Sequence, residues 1–442
     1  MPKYDLSPPA GTRDFFAEDL KLRESVLHTV RDVFERFGFL PLETPAFERV
    51  DIMMGKYGEE EKLIFKILKR GEKQSGGEAD LALRYDFTIP LARVVARYPE
   101  KIGRLFRRYQ IGPVWRADRP AKGRFREFYQ CDVDIVGSRS VNAEAEVILV
   151  LTEALSAAGV HNFTVRLNSR KVLGALLEMH DIPTELHTSV TTAIDKLDKI
   201  GVVGVSAELL QRGVPASKRD DLLQDLEAHV ADPGHIRKRL VSLPSGEVAL
   251  RDIDQVTGIV QPLMKHGKLA FDPFVARGLS YYTGIIFEIA AEGIGSSIAS
   301  GGRYDELVGM FSSNEVPACG GSLGIERILM LLQNTEAARE RQNVPQVLVT
   351  IWDENLRSDA FRFATHLRDH GVSTEIYVGE GKLSQQIGYA SKKGIPYCAV
   401  IGPDEQAKSQ VAIKDLRSQI QVLATWDEAL QTLKGTAKTP LP

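Results

Sequence analysis

An amphipathic stripe near the N-terminus gives the first clear prediction of structure. Over residues 19–37 the apolar positions recur at steps of three and four, at Leu22, Val26, Val30, Val33 and Phe37. This spacing places them on one face of an α-helix, and Gly38 ends the pattern. The segment that follows, FLPLETPAFE, contains Pro41 and Pro45 and predicts an extended chain.

The next part of the chain, residues 62–137, predicts mostly β-strand. Within it, residues 128–136 present two different faces. One face carries Tyr129, Cys131, Val133 and Ile135, and the other carries Gln130, Asp132 and Asp134. Three hydrogen-bond acceptors in a row form either a wet surface or the floor of a polar pocket, and the alternation alone does not decide between them.

A long helical stretch and a second strand-rich region follow. Residues 169–270 predict helices interrupted at Gly201, Gly213 and Pro233, which is typical of an inserted helical module. Residues 274–288 predict strand, and a glycine-rich turn then leads into the helix LGIERILMLL. The buried stripe of that helix is predicted to contain Ile325, Ile328, Leu329 and Leu332, with Arg327 pointing elsewhere.

The last part of the chain has a different pattern. A polar segment at residues 334–343 predicts a linker, and the strands VLVTIW, TEIYV and YCAVIG then alternate with helical segments. This order predicts a mostly parallel sheet with covering helices. Residues 345–442 contain 11 basic and 11 acidic side chains, so this part has no net charge.

Composition narrows the class of protein. The residues are 43% hydrophobic and 26% charged, which is typical of a globular protein. At 442 residues the chain is too long for one average domain. The formal net charge of -3 excludes a polycation that coats nucleic acid, but not a local basic patch.

The sequence shows no pattern typical of a targeting signal or of a metal site. We expect no membrane span and no secretory signal, because apolar runs stay far below about 20 residues and the N-terminus has no apolar segment. Cys131, Cys319 and Cys398 lack metal-ligand spacing and indicate a reducing compartment, so we expect no zinc site.

Candidate chemistry is concentrated in residues 101–130. Neither glycine-rich nucleotide motif occurs in the chain, so side chains must hold the phosphates of any nucleotide. This stretch has nine basic and two acidic residues with aromatic residues between them. Arginine suits phosphate oxygens and aromatic rings stack on bases, although a solvated basic hairpin explains the composition equally well. Arg277 and Arg327 lie beside glycines that permit close ligand approach, yet structural ion pairs explain isolated arginines about as often.

Five motifs, in the right order, resemble those of class II aminoacyl-tRNA synthetases in their histidyl form. TPAFE resembles the end of motif 1, GPVWRADRPAKGRFREFYQCDVDIVG resembles motif 2, and SLGIERI resembles motif 3. ARGLSYYTGIIFE resembles a signature of histidyl-tRNA synthetases and their paralogues, and LRYDFTIPLARVVA resembles their amino-acid-binding segment. The resemblance covers nearly the whole chain, including the GTRD start and the C-terminal VAIKDL.

Two positions depart from the family pattern. Ser280 replaces the aspartate that is common in the histidyl signature, which leaves the role of that position open. Ala121 stands where many bacterial members have a glutamine associated with the extra 5′ guanosine of histidine tRNA. Whether this protein reads that nucleotide is therefore left open.

The resemblance implies a fold and a domain order. The fold is an α+β catalytic domain with a six-stranded antiparallel sheet, a helical insertion, and a C-terminal α/β domain with a mostly parallel sheet. The domains are the first catalytic part at 1–168, the insertion at 169–270, the second catalytic part at 271–333, the linker at 334–343 and the anticodon-binding domain at 344–442. The resemblance also implies a cytoplasmic homodimer with Pro45 and the first helix at its interface, and it favours a pocket floor for the polar face of residues 128–136.

The implied activity is a two-step ligation. Histidine and ATP, with Mg²⁺, give histidyl-adenylate and pyrophosphate, and histidine then passes to the 3′ end of its tRNA. By resemblance, Arg116 and Arg277 are catalytic and approach the α-phosphate from opposite sides. ATP would also be bound by Asp118, Arg124, Phe128 and Arg327. Histidine would be bound by Asp86, Thr88, Gln130, Asp134, Arg277, Tyr281 and Tyr282. No protein cage dedicated to a metal is implied.

Two other functions stay open at this point. One is a non-catalytic paralogue that binds histidine and regulates ATP phosphoribosyltransferase. Such paralogues typically lack the anticodon-binding domain and the catalytic arginines, and this chain keeps both. The other is a phosphoribosyl or nucleotide transferase with an unrelated basic loop, which would leave motif 1, motif 3 and the C-terminal module unexplained.

Overall fold

The computed structural model of the chain describes residues 4–69, 79–276, 281–333 and 344–436. It divides into two compact units, Met1–Arg341 and Gln342–Pro442. The predicted linker at residues 334–343, where the two units meet in the sequence, lies outside the described residues. The two units are described separately below.

The first unit is built on a large mixed sheet. Its strands are, in chain order, β1 (Leu40–Pro41), β2 (Phe47–Arg49), β3 (Lys66–Leu68), β4 (Ala79–Leu83), β5 (Phe106–Trp115), β6 (Glu127–Val136), β7 (Phe163–Ser169), β8 (Lys268–Phe271), β9 (Ile285–Ala291), β10 (Ala299–Arg303) and β11 (Ala318–Gly324). Eight of them form one sheet in the order β1-β5-β6-β11-β10-β9-β7-β8, and β2, β4 and β3 form a smaller one.

The six-stranded antiparallel sheet is therefore present but extended at both edges. Each neighbouring pair from β5 to β7 is antiparallel, whereas β1 joins β5 and β8 joins β7 in parallel. The prediction of six strands is wrong because the two edge strands have only two and four residues. Segments that short carry no readable alternation.

Helices cover the large sheet and fill the insertion. They are α1 (Ala17–Arg36), α2 (Val50–Met53), α3 (Thr88–Arg97), α4 (Pro99–Ile102), α5 (Asn142–Ala158), α6 (Arg170–Met179), α7 (His187–Ile194), α8 (Leu197–Gln211), α9 (Ala216–Ala231), α10 (His235–Leu240), α11 (Pro244–Val260) and α12 (Ile325–Leu332). The predicted first helix is α1, and its apolar stripe from Leu22 to Val33 belongs to the core. The predicted stripe of α12 is buried as expected. Helices α6 to α11 occupy the stretch that the sequence predicted as helical.

Two helices contradict the sequence prediction. Residues 62–137 were expected to be mostly strand, but they include α3 and α4. Six of the ten residues of α3 are buried, so few polar positions mark a helical period. Likewise, strand β9 begins only at Ile285, later than the strand-rich stretch predicted from residue 274.

The second unit is a five-stranded sheet with helices. Its elements are β12 (Val347–Val349), α13 (Arg357–Asp369), β13 (Thr374–Ile376), α14 (Leu383–Lys393), β14 (Tyr397–Val400), α15 (Pro403–Ala407), β15 (Val411–Asp415), β16 (Gln421–Ala424) and α16 (Trp426–Thr436). The sheet order is β13-β12-β14-β15-β16. Strand β12 is parallel to both of its neighbours, whereas β15 is antiparallel to both of its own.

The prediction of a mostly parallel sheet is wrong for the last two strands. Residues 416–420 alone connect β15 to β16, and a connection that short makes a hairpin rather than a parallel crossover. Across both units, every described helix is too short or too polar to cross a membrane.

Candidate active site

A cavity of about 470 Å³ lies on the large sheet of the first unit. Every described residue among the candidate site residues lines it: Asp86, Thr88, Arg116, Asp118, Arg124, Phe128, Gln130, Asp134, Tyr281, Tyr282 and Arg327. Arg277 and Ser280 lie outside the described residues, but Val275 and Tyr281, close to them on either side in the sequence, also line the cavity. The fold thus brings together side chains that are far apart in the chain.

The polar face of β6 forms the floor of this cavity. Gln130, Asp132 and Asp134 all line it, and both carboxyl groups are buried. Strand β11 passes beside them and places Gly320 opposite Asp134. A Cβ atom at Gly320 would lie 1.9 Å from Asp134 Oδ1, so only glycine leaves room for this carboxyl group. The polar face is a pocket floor and not a wet surface.

Asp134 is held by two residues of neighbouring elements. Arg108 Nη2, on β5, lies 2.7 Å from Asp134 Oδ2, and the Tyr304 hydroxyl donates to Asp134 Oδ1. Burial raises the pKa of Asp134, and the nearby Arg108 guanidinium opposes that rise. The pair gives the floor a fixed carboxyl group at its deep end.

Asp86 offers one bonded and one open oxygen. Its Oδ1 accepts from the Tyr57 hydroxyl at 2.9 Å and from the backbone N–H groups of Thr88 and Ile89, which begin α3. Its Oδ2 is buried and has no hydrogen-bond partner among the described residues. Burial raises the pKa of Asp86, and Arg116 opposes this. A buried acceptor of this kind is suited to a cationic donor from a ligand.

Arg116 is a fixed cation on one wall. Its Nε donates to the Tyr85 carbonyl at 3.1 Å, and its guanidinium lies 4.2 Å from the centroid of the Tyr85 ring and 5.1 Å from that of Phe128. Burial acts to lower the pKa of Arg116, but Tyr85, Glu60 and Asp86 outweigh it and leave the pKa raised. The charge is therefore permanent and is aimed by stacking as well as by hydrogen bonding.

The motif 2 loop and α12 meet at the mouth of the cavity. Arg327 Nε donates to the Gly123 carbonyl at 3.2 Å, and its Nη1 donates to the Ser297 carbonyl. Arg124 lies 3.8 Å from Asp118 and is about half exposed. The loop therefore presents a half-exposed cation next to the more firmly held guanidinium of Arg327.

Several residues of the site were not predicted from the sequence. Arg108, Tyr304 and Tyr57 hold the carboxyl groups of Asp134 and Asp86. Asp132 was predicted only as part of the polar face of β6, with no role of its own. A signal existed for Arg108, because it is a charged residue within the strand pattern of β5. Nothing local marks Tyr304, whose role depends on a strand that is distant in the sequence.

The chain is similar to known proteins over nearly its whole length. The family model for histidyl-tRNA synthetase matches residues 11–328, and that for the anticodon binding domain matches residues 346–436. Curated histidine–tRNA ligases of Gloeobacter violaceus and Cytophaga hutchinsonii are each 38% identical, and the matches cover 98% and 97% of this chain and 100% and 99% of theirs. The crystal structure of histidyl-tRNA synthetase from Nostoc sp. PCC 7120 is 29% identical, with a TM-score of 0.77 over 98% of this chain and 100% of that one. The chain belongs to the histidyl-tRNA synthetase family.

Proposed function

We propose that this enzyme ligates histidine to its tRNA, and that both chemical steps take place in the cavity of the first unit. The observation that carries the proposal is the convergence of the candidate residues on that one cavity, within a chain whose curated relatives are histidine–tRNA ligases over nearly their full length. In the first step a carboxylate oxygen of histidine attacks the α-phosphorus of ATP. The bond to the β-phosphate breaks, and pyrophosphate leaves.

The histidine subsite is proposed to lie along the floor. The open Oδ2 of Asp86 would accept from the substrate ammonium group, together with the Thr88 hydroxyl. Gln130 donates to Ser322 Oγ at 2.8 Å, and its Oε1 is buried without a partner among the described residues, so it can serve the polar end of the amino acid. Asp134 and Tyr282 would bind the imidazole, and Tyr281 would line its pocket.

The ATP subsite is proposed to lie between Arg116 and the loop side of the cavity. Charge builds on phosphate oxygens during the attack, so fixed cations stabilise the transition state more effectively than a nucleophile could. Arg116 would bind the α-phosphate, and Arg277 would approach it from the opposite side. Phe128 would stack on adenine with Asp118 near its amine. Arg327 would cover the adenine ring and the γ-phosphate, and Arg124 would reach the distal phosphates.

Magnesium is proposed to enter with ATP. The described residues contain no group of three or more His, Cys, Asp or Glu side chains that could hold a metal ion. Mg²⁺ commonly keeps several waters and binds phosphates with one or two carboxylates, and Glu288 and Asp118 line the cavity. When bound, the ion would neutralise charge on the β- and γ-phosphate oxygens.

The second step and the quaternary structure involve the rest of the chain. The second unit is proposed to bind the anticodon by local contacts, since residues 345–442 have no net charge. A homodimer is proposed to form through α1 and the motif 1 segment, where Leu40 and Phe47 are 62% and 51% exposed. The helical insertion separates the two parts of the catalytic domain.

The direct test is amino-acid-dependent exchange of pyrophosphate into ATP. Exchange should occur with histidine and stay at background with each of the other amino acids, because buried acceptors of the floor would be left unpaired by them. Charging should then be measured on histidine tRNA with and without the extra 5′ guanosine, which decides the question raised by Ala121. Exchange that depends on another amino acid, or no exchange at all, would contradict the proposal.

A further inference from the structure

Asp132 is a buried carboxylic acid on the cavity floor to which the proposed reaction gives no role. It lies between Gln130 and Asp134 on the same face of β6, and it is 4% exposed. It lines the cavity, and its Oδ1 has no hydrogen-bond partner among the described residues. A buried acceptor without a donor costs folding free energy, so a bound ligand is the expected source of that donor.

The neighbouring carboxyl group of Asp134 is more fully engaged by the protein. Tyr304 donates to its Oδ1, and its Oδ2 accepts no hydrogen bond from the described residues but lies 2.7 Å from Arg108 Nη2 in an ion pair. A ligand N–H group that reaches the floor therefore meets one carboxyl group that is ion-paired and one with a buried oxygen that has no hydrogen bond among the described residues. The second is Asp132.

We infer that Asp132 accepts a hydrogen bond from a ring N–H of histidine and so selects the imidazole side chain. The inference rests on the proposed function and deepens it, because it adds to Asp134 and Tyr282 a further acceptor by which the site distinguishes an imidazole from a ring of the same size. An amino acid whose ring has no N–H group leaves Asp132 buried and unpaired. A site built in this way rejects such analogues strongly.

The electrostatics of the floor are consistent with this role. Burial raises the pKa of Asp132 to about 7, while Arg108 and Ser322 act to lower it and Asp134 acts to raise it further. The charged or polar groups that act on Asp132 are Arg84, Asp86, Arg108, Asp134 and Ser322. At neutral pH a proton donor from the substrate therefore meets a carboxyl group that is readily ionised, and pairing with an N–H group favours the ionised form.

The test compares two ligands on two proteins. Histidine and 3-(2-thienyl)alanine share the ammonium and carboxylate groups, but the thiophene ring has no N–H group. Binding of each is measured with wild-type protein and with Asp132→Ala, as the apparent affinity in ATP–pyrophosphate exchange for histidine and as inhibition of that exchange for thienylalanine. The variant should bind histidine roughly 10–100-fold more weakly, the scale for losing a hydrogen bond to a charged group. Its affinity for thienylalanine should stay within about threefold or improve.

If the variant loses affinity for both ligands equally, Asp132 binds the ammonium group. If its affinity for histidine is unchanged, Asp132 binds neither the ammonium group nor the ring. Either result overturns the inference. Asp225→Ala is the matched control. Asp225 is also buried, but it accepts from His180 and His235, so its loss should lower stability without a ligand-selective effect. If Asp132→Ala is poorly folded, Asp132→Leu, which has no acceptor, is measured with the same pair of ligands and must show the same selectivity in direction. Wild-type exchange with histidine tests the enzyme's function independently of every variant.

Discussion

The Arg108 guanidinium lies 2.7 Å from the Asp134 carboxyl group, and the two side chains are 0% and 3% exposed. Both side chains are buried within the sheet, and Asp134 also lines the cavity floor. Removing one member leaves the other charge buried without its partner, which is more costly than removing both. A substitution at either residue is therefore expected to change both stability and substrate binding. A double variant that removes both charges can separate the two effects.

Asp134→Ala should lower the free energy of unfolding by roughly 3–5 kcal/mol, the cost of an uncompensated buried charge. The KM for histidine should rise, because the carboxyl group proposed to face the imidazole is lost. Urea unfolding and pyrophosphate exchange measure the two effects. The double variant Arg108→Met with Asp134→Leu should regain much of the stability but none of the histidine affinity. Recovery of both would mean that Asp134 has only a structural role.

Gly320 gives a second way to test the floor without changing any charge. Gly320→Ala should destabilise the first unit and raise the KM for histidine, because the new Cβ would lie 1.9 Å from Asp134 Oδ1 and 2.8 Å from the Val133 carbonyl. Gly174→Ala is the matched control, since Gly174 lies in α6 and its Cβ would meet nothing within 4 Å. The control should gain up to about 1 kcal/mol from helix propensity. If Gly320→Ala changes neither the stability nor the KM for histidine, β6 and β11 do not fit together as tightly as argued.

Arg277 is proposed to be catalytic on the sequence resemblance alone. Arg277→Ala should lower the rate of adenylate formation by roughly 10²–10³, the scale for removing one donor where charge develops. The affinities for ATP and histidine should change much less, because the interaction is proposed to strengthen in the transition state. Exchange that survives within a few-fold would show that the assigned role is wrong.

The sequence predicted parts of this molecule well, and the failures have physical causes. The stripe of α1 was readable because that helix buries one face, and the alternation of β6 because one of its faces is apolar and the other polar. Helix α3 was missed because six of its ten residues are buried and little more than Arg93 and Arg97 marks its solvent face. The period-two pattern of β6 could not separate a wet surface from a pocket floor, since Tyr281 and Tyr282, which line the same cavity, follow far later in the sequence.

Site residues divide in the same way. Those within a recognisable motif, such as Arg116 and Arg327, could be assigned from the resemblance, and both line the cavity. Tyr304 and Arg108 act on Asp134 from other strands, so their contribution depends on strand register and not on local sequence. The open oxygens of Asp86 and Asp132 could not be predicted, because they depend on which donors the folded chain leaves out.

The pKa of Asp132 predicts how stability depends on pH. Its value in the folded protein is raised from 3.8 to about 7, so the folded state binds this proton more tightly than the unfolded state does. Its contribution to the free energy of unfolding should therefore fall as the pH rises from about 4 to 7. Asn does not titrate, so the free energy of unfolding of Asp132→Asn should rise relative to that of wild type across that window, by more than about 1 kcal/mol. Above pH 7 the difference between the two proteins should become constant. Denaturant unfolding of both proteins at pH 4.5, 6 and 8 measures this, and a constant difference would contradict the raised pKa.

The last prediction separates the two units. The cavity is lined entirely by residues of the first unit, and each unit has its own hydrophobic core. A chain that ends at Gln333 should therefore fold, dimerise through α1 and the motif 1 segment, and form histidyl-adenylate. It should charge tRNA poorly, because the second unit is proposed to contact the anticodon through stacking or hydrogen bonds to unpaired bases.

Three measurements on the shortened chain test this division: sedimentation, pyrophosphate exchange, and charging over a range of tRNA concentrations. We expect a normal exchange rate and a raised KM for tRNA. Since residues 345–442 carry no net charge, the loss in charging should depend only weakly on salt, unlike the loss of a general electrostatic attraction. Loss of adenylate formation along with charging would show that the second unit supports the catalytic unit. Full charging at low tRNA concentration would instead show that the acceptor end alone supplies recognition, because nothing else of the tRNA would then be needed.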